Sequence, residues 1–254
     1  MPTDKCFYQI VVPHMNNRID TQMALNYKTF DYITKHSQVR TMISTLEDVR
    51  LYSMKIFSDR RGSHGWDHTC RVYSMCVHIG RIEKADLEVL KAAAYLHDIG
   101  RQAQDESNGN ICHARKGAEI SKTLLDHYPV SADQKENIIH SIRSHRYRGK
   151  NRPETLEAKI LFDSDKLDSI GAIGIARAFQ FAGEIGAKLY NPDIDLMDTR
   201  SYTEEDTAYR EFKLKLSKIE DKMLTREGRR IAVVRHEFME KFFKRFMDEI
   251  NKFA

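Results

Sequence analysis

Patterned cysteine is missing from this sequence. Its four cysteines, Cys6, Cys70, Cys76 and Cys112, form no Cys-x-x-Cys unit and no regular framework. That argues against a disulfide scaffold and predicts free thiols in a reducing compartment. Cys70 and Cys76 fall within a helical pattern, where a thiol serves as a small buried apolar group. Long apolar runs are missing too. The least polar later stretch, 170–189, is interrupted by Arg177, Glu184 and Lys188 and cannot cross a bilayer. The N-terminus has no charged-then-apolar signal pattern, so the expected setting is cytoplasmic, with no membrane partner. Neither sign of charge dominates: 41 Lys+Arg against 37 Asp+Glu give a net charge of +4, mixed rather than blocked. This suits an anionic ligand but not a nucleic-acid-binding tail. The basic stretch 213–245 is interleaved with Glu220, Asp221, Glu227, Glu237 and Glu240 and reads as solvated helix, so no nucleic-acid partner is expected. There is no internal repeat, no low-complexity segment and no convincing run of alternating strands.

What is present is helical periodicity, and the expected fold class is all-α. The chain divides into an N-terminal extension at 1–43, a main domain at 44–190 and C-terminal amphipathic helices at 191–254 packing on it. Within the extension, 7–12 could be a short strand ended by Pro13, and 21–33 has some helical character. From Ser44 the pattern is clearer. Thr45 and Asp48 form a capping box, followed by Leu46, Val49, Met54 and Phe57 on one face. The segment 61–65 breaks this helix, and a second follows with Val72, Met75, Cys76 and Ile79 inward and Gly80 placed to end it. A third runs from about Lys84 to Asp98, and 101–111 reads as a polar loop. Further helices are expected at His113–Asp126, from Asp133 as cap to His145, at Glu154–Asp168 after a basic loop at 146–152, and at Gly171–Lys188. After a loop at 191–206, two last helices split near Thr225–Gly228. Ile231, Val234, Phe238, Phe242, Phe246 and Ile250 mark the apolar face of the second.

The chemistry centres on Leu90 to Arg101, where an apolar helical run arrives at His97 and Asp98 before Gly100 breaks it. Imidazole and carboxylate are ligands for a catalytic divalent metal, though a single His-Asp pair is weak evidence by itself. His68 precedes the pair at the start of the second helix, and Asp165 follows on a later one. The order His…His-Asp…Asp on successive helices resembles the HD-domain metal-dependent phosphohydrolase superfamily. The words that carry the resemblance are His-x-x-Arg-Val at 68–72, Leu-His-Asp-Ile-Gly at 96–100 and Asp-x-Leu-Asp-x-Ile-Gly-Ala at 165–172. It covers about 44–190. The tail, with Leu224-Thr225-Arg226-Glu227-Gly228-Arg229 and Arg235-His236-Glu237-Phe238-Met239, is similar to a bacterial-type HD hydrolase subfamily of largely unassigned substrate.

The resemblance implies an HD-domain helical bundle. It makes His68, His97, Asp98 and Asp165 the ligands of one divalent ion, with manganese, iron, cobalt, nickel, zinc and magnesium not distinguishable. Asp98 would be part of the catalytic apparatus, and water activated by the ion would be the nucleophile. Two-metal members of the superfamily use further histidines, and His113 and His145 fall in the corresponding segments. Either they hold a second ion, or they contact substrate and support the first. The Gly-Tyr-Pro motif of the branch that cleaves cyclic dinucleotides is absent, which disfavours that activity. Arg71, Arg101, Lys116, Arg146 and Lys166 are cations suited to an anionic substrate. Lys116 and Lys166, beside candidate site residues, are the better catalytic candidates, while Arg71 could instead pair with an acid. Asp168, three residues beyond Asp165, shares its helix face and could support or cap the site.

The leading expectation is an enzyme that hydrolyses a phosphoester or phosphoanhydride of a nucleotide or other small phosphorylated metabolite. Two alternatives remain open: a regulatory module that holds nucleotide or metal without turnover, and a di-iron oxygenase on the same fold. A homo-oligomer is compatible with everything above.

Overall fold

The computed structural model describes residues 44–58, 65–146, 151–191 and 195–252. The strand and helix expected at 7–12 and 21–33 lie outside the described residues, as do 61–64 of the break and 147–150 of the basic loop. The described residues contain no strand, and no helix among them is long and apolar enough to cross a membrane.

Helices α1 (Leu46–Phe57), α2 (Trp66–Glu83) and α3 (Leu87–Leu96) open the bundle. The Thr45–Asp48 capping box forms as expected, Asp48 N donating to Thr45 Oγ1 and Thr45 N to the Asp48 carboxylate. Gly80 does not end α2. The helix runs to Glu83, and Lys84 takes the left-handed conformation at its end. Gly80 is needed for packing: a Cβ there would collide with Leu90 Cδ1, so α2 and α3 can touch closely. The third helix is shorter than its periodicity predicts because Asp86 caps it, its side chain accepting from Glu88 N and Val89 N at 2.9 and 3.3 Å.

Helix α3 is the axis of the bundle. Every residue from Val89 to Leu96 except Lys91 is buried, and a helix apolar on all sides has to be surrounded. Its neighbours are α1, α2, α6 (Ala132–Ser144) and α7 (Leu156–Leu167), while α4 (Arg101–Glu106) and α5 (His113–Leu124) follow it directly. Ala92, Ala93 and Ala94 present so little side chain that helices can close in on several sides. The cap of α6 is Ser131 with Gln134 in a second capping box, rather than Asp133. Helix α4 replaces part of the expected loop at 101–111. It is six residues long with none buried, so no apolar period announced it.

Gly100 and Gly117 bring the end of α3 onto the start of α5. A Cβ at Gly100 would overlap His113 O and Gly117 N, both backbone atoms, and one at Gly117 would lie 3.4 Å from His97 O. Backbone therefore meets backbone, and His113 is delivered to the His97–Asp98 corner.

Beyond α7 come α8 (Gly171–Glu184), α9 (Ala208–Leu214) and α10 (Arg226–Lys252). Helix α10 packs on α8, α7 and α2, with Phe243 stacked on Phe212 at a centroid distance of 4.5 Å. The face predicted for α10 is partly wrong. Val234 and Phe238 are 62% and 49% exposed, whereas Ala232, Met239 and Phe243 are the buried residues. The step of three from Ile231 to Val234 turns about 60° away from the buried side, and steps of four drift about 40° each the other way, so the stripe regains the packed face only at Phe242 and Phe246.

Candidate metal centre

The candidate ligands all stand at or near helix ends. His68 is in the first turn of α2, His97 caps the C-terminus of α3 with Asp98 next, His113 starts α5, His145 caps α6, and Asp165 lies in the last turn of α7. Helix termini leave backbone groups unpaired, and two imidazoles use this. His97 Nδ1 donates to Ala94 O at 2.8 Å and His145 Nδ1 to Ile142 O at 2.7 Å. The other two rings are fixed by side chains, His68 Nδ1 donating to Asp168 Oδ2 at 2.7 Å and His113 Nδ1 to Gln104 Oε1 at 2.8 Å. All four Nδ1 atoms thus face acceptors. The tautomer that satisfies them puts the proton on Nδ1 and a lone pair on Nε2.

Those four lone pairs converge. His68 Nε2 is 3.3 Å from His97 Nε2, and His113 Nε2 is 3.2 Å from His145 Nε2. Two unprotonated nitrogens at that separation repel unless a cation lies between them. The carboxylates complete the arrangement. Asp165 Oδ1 is 3.5 Å from His68 Nε2, and Asp98 Oδ2 is 3.9 and 3.8 Å from His68 and His97 Nε2. Asp98 Oδ1 turns the other way, 3.4 Å from His113 and 3.5 Å from His145. Ligands about 2.0–2.2 Å from a common ion are separated by roughly these distances. Two groups could therefore hold a divalent ion: His68, His97 and Asp165, and Asp98, His113 and His145. The residues fit the metal that the sequence implied.

Electrostatics favour the ligand forms. Burial holds the His97 imidazole down to about 4 and that of His113 to about 2, despite Asp98 beside both. Burial works against ionisation of Asp165, but Lys166 and His68 outweigh it and keep the carboxyl well below its usual range. At Asp168 burial is again overcome, here by hydrogen bonds from His68 and Arg71, and its carboxyl lies at about 2. His68 goes the other way: burial is exceeded by Asp165 and Asp168, which raise it.

These shifts predict an acid-sensitive fold in metal-free protein. The unfolded chain's histidines protonate near 6.5, while folded His97 and His113 do not until far lower pH, so the unfolded state binds more protons and stability is lost as the pH is lowered. His97 alone contributes about 3 kcal/mol between its unfolded 6.5 and folded value near 4, at about 1.4 kcal/mol per unit. His68 opposes this, as a raised imidazole stabilises below 6.5 and loses that on going up, but two lowered rings outweigh it. Urea unfolding of chelator-treated protein at pH 7.5, 6 and 5 measures the trend. Stability that rises on acidification would contradict neutral imidazoles.

The sequence-selected cations separate. Arg101 is in the cluster, gripping Asp98 through Nε and Nη2 at 3.0 Å each. Lys166 Nζ bonds Asp165 Oδ2 at 2.7 Å. Arg146 Nη1 bonds Gln104 Oε1 at 3.0 Å, one step behind His113. Arg71 pairs with acids, at 2.6 Å to both Asp67 and Asp168. Lys116 stands apart, 42% exposed and turned to Glu119 at 3.7 Å. Three residues on from His113 it shares that side of α5, but its long side chain reaches out to Glu119 rather than into the cluster. Gln104 and Arg177 were not singled out from the sequence. Gln104 lay in an apparent loop, and Arg177 donates to Asp168 Oδ2 at 2.7 Å from another helix, which no spacing rule reveals.

Asp168 gathers His68, Arg71 and Arg177 and fixes the direction of the His68 ring. Carboxylates behind metal-binding histidines are worth about 10- to 100-fold in affinity. Asp168→Asn is expected to weaken metal binding by that factor with little change in helicity, measured by calorimetric titration. An unchanged affinity would rule out this orienting role.

Comparison with known proteins follows the same lines. A family model of the HD domain matches residues 65–170. YpgQ of Bacillus subtilis is 34% identical over 209 residues, spanning 80% of this chain and 93% of YpgQ. Among solved structures, that of B. subtilis YpgQ in complex with ADP is similar with a TM-score of 0.62 and 29% identity, covering 82% of this chain and 95% of the other. An HD-superfamily hydrolase from Bacillus thuringiensis matches at TM-score 0.62 and 28% identity, over 82% of this chain and 97% of its own.

Proposed function

Because the chain belongs to the HD-domain family, we propose that it is a metal-dependent phosphohydrolase acting on a nucleotide or similar small phosphorylated metabolite. The observation that carries this reading is the convergence of four imidazole Nε2 atoms on the Asp98 carboxylate, with Asp165 alongside. The binding of ADP by the similar YpgQ supports a nucleotide-like substrate.

His68, His97, Asp98 and Asp165 are the ligand set. A bound divalent ion supplies Lewis acidity, which activates water and polarises a phosphoryl oxygen. The chain's own groups do the rest. Asp168 and the Ala94 carbonyl hold the His68 and His97 rings with Nε2 inward. Lys166 anchors the outer oxygen of Asp165 and leaves Oδ1 facing the imidazoles. Arg101 and Arg146, beside His113 and His145, form the cationic side on which a phosphate can rest while charge builds on it. Arg71 supports Asp168, and Lys116 is given no role. Residues 44–190 carry the site, with 191–254 as an extension packed on it.

The test is metal analysis of the purified protein, then a screen of phosphorylated metabolites, ADP included, with the metal found. Expected is phosphate release that stops on chelation. Nucleotide binding without turnover across a metal panel would point to a regulatory module instead. Iron content with oxygen consumption would point to an oxygenase.

A further inference from the structure

We propose that Arg101 takes the place of a second metal ion, so that the centre holds one divalent ion beside one fixed guanidinium. This rests on the metal-centre reading above and deepens it. Among the described residues, Arg101 is the cationic side chain set against the facing atoms of the Asp98, His113 and His145 group. Arg101 Nη2 lies 3.0 Å from Asp98 Oδ1 and 3.4 Å from His113 Nε2, so a single nitrogen engages two of the three donors there. Nε holds Asp98 Oδ2 at 3.0 Å, which makes the grip bidentate and fixes the plane of the guanidinium. Arg146 adds to the positive charge on that side, one step back, through Gln104.

Toward the first group, of His68, His97 and Asp165, the bonds of Arg101 go to Asp98 Oδ2 and not to the imidazoles. Lys166 touches that group only at Asp165 Oδ2, whereas the oxygen facing His68 Nε2 is Oδ1. The Arg101 side chain is 14% exposed and carries a guanidinium charge. Solvent therefore screens it poorly, and a divalent ion brought within a few ångströms meets strong repulsion. The sequence basis is local. Arg101 follows Asp98 by three residues, on the turn that Gly100 presses against α5, so the guanidinium is delivered to the second group by the same corner that delivers His113. A phosphate reaching this side meets a rigid N–H fork where a second ion would otherwise sit.

The experiment is manganese stoichiometry of the full chain, by elemental analysis after loading and desalting, with low-temperature paramagnetic resonance on the same samples. Wild type is expected to hold about one equivalent with the spectrum of an isolated ion. Arg101→Ala is expected to hold about two, with an exchange-coupled spectrum, and adding His145→Ala should return it to about one. If Arg101→Ala does not fold by circular dichroism, Arg101→Gln, which keeps a shorter polar side chain without charge, is read by the same criteria. Two coupled ions in wild type, or a folded, uncharged variant that still takes only one, would overturn the proposal. Absence of manganese from every protein overturns it together with the metal-centre reading. A rise in stoichiometry without hydrolysis of any phosphate ester sustains it and removes only the hydrolase reading.

Discussion

Replacing Asp98 with alanine is expected to empty the metal centre and to cut phosphate release by about a thousand-fold or more, as water loses its activating ion. Asp98 is singled out because both of its oxygens are used, Oδ2 toward His68 and His97 and Oδ1 toward His113 and His145. Among the described residues, no other carboxylate is recorded facing both imidazole pairs. The fold should survive. Asp98 lies just beyond the end of α3, whose residues remain packed by their own apolar side chains. The main structural cost is at Arg101, whose mostly buried guanidinium loses its partner, and breaking such a pair costs about 3–5 kcal/mol. Relief of the pressure on the imidazoles offsets part of it. Asp98→Asn keeps the shape and an acceptor for Arg101, so it should lose metal with a smaller fall in melting temperature. Elemental analysis, phosphate release and far-ultraviolet circular dichroism on the three proteins separate these effects. Wild-type activity in Asp98→Ala would remove Asp98 from the chemistry altogether.

Why His97 and Asp98 were legible while their supports were not is a matter of distance along the chain. The apolar run into Leu96, the glycine after Asp98 and the order of the other ligands are all local features. A helix period and a stop signal suffice to place them. Asp168 was visible in part, because three residues from Asp165 means the same face of one helix. Gln104 and Arg177 act across the fold, on partners brought near only by packing, and nothing within one turn marks them. Helix α4 was missed for a related reason. With no buried residue it has no apolar period, and it persists as the short link between the His97–Asp98 corner and α5. In α10 the error was one of phase: Val234 and Phe238 start on the exposed side, and the steps of four bring the stripe onto the packed side only at Phe242 and Phe246. Lys116 shows the converse hazard, since it shares a side of the helix with His113 at three residues' spacing and yet its long side chain reaches out to Glu119.

The residue least legible of all predicts the largest loss of stability. Asp163 lies two positions before Asp165, about 200° around α7, so one helix sends one carboxylate to the site and the other to the C-terminal extension. Fully buried, Asp163 accepts from Leu224 N at 2.9 Å, from Thr225 N at 2.8 Å and from Thr225 Oγ1 at 2.7 Å. Thr225 in turn accepts from Gly228 N at 3.0 Å, which caps the first turn of α10. At Gly228 a Cβ would run into Asp163 Oδ2, so the glycine is what lets the carboxylate in. Asp163→Ala removes the acceptor for two backbone donors and leaves the cap without its support. Each buried donor left unpaired costs about 1–3 kcal/mol, and a total of about 3–5 kcal/mol is expected. At about 2–4 °C per kcal/mol for a chain of this size, the melting temperature should fall by about 6–20 °C. Metal affinity should change less than about ten-fold, because Asp165 points the opposite way and its partners Lys166 and His68 are untouched. Calorimetry of unfolding and metal titration on the same variant distinguish an anchor of α10 from a ligand support. A melting temperature within about 2 °C of wild type would show that α10 is held without Asp163.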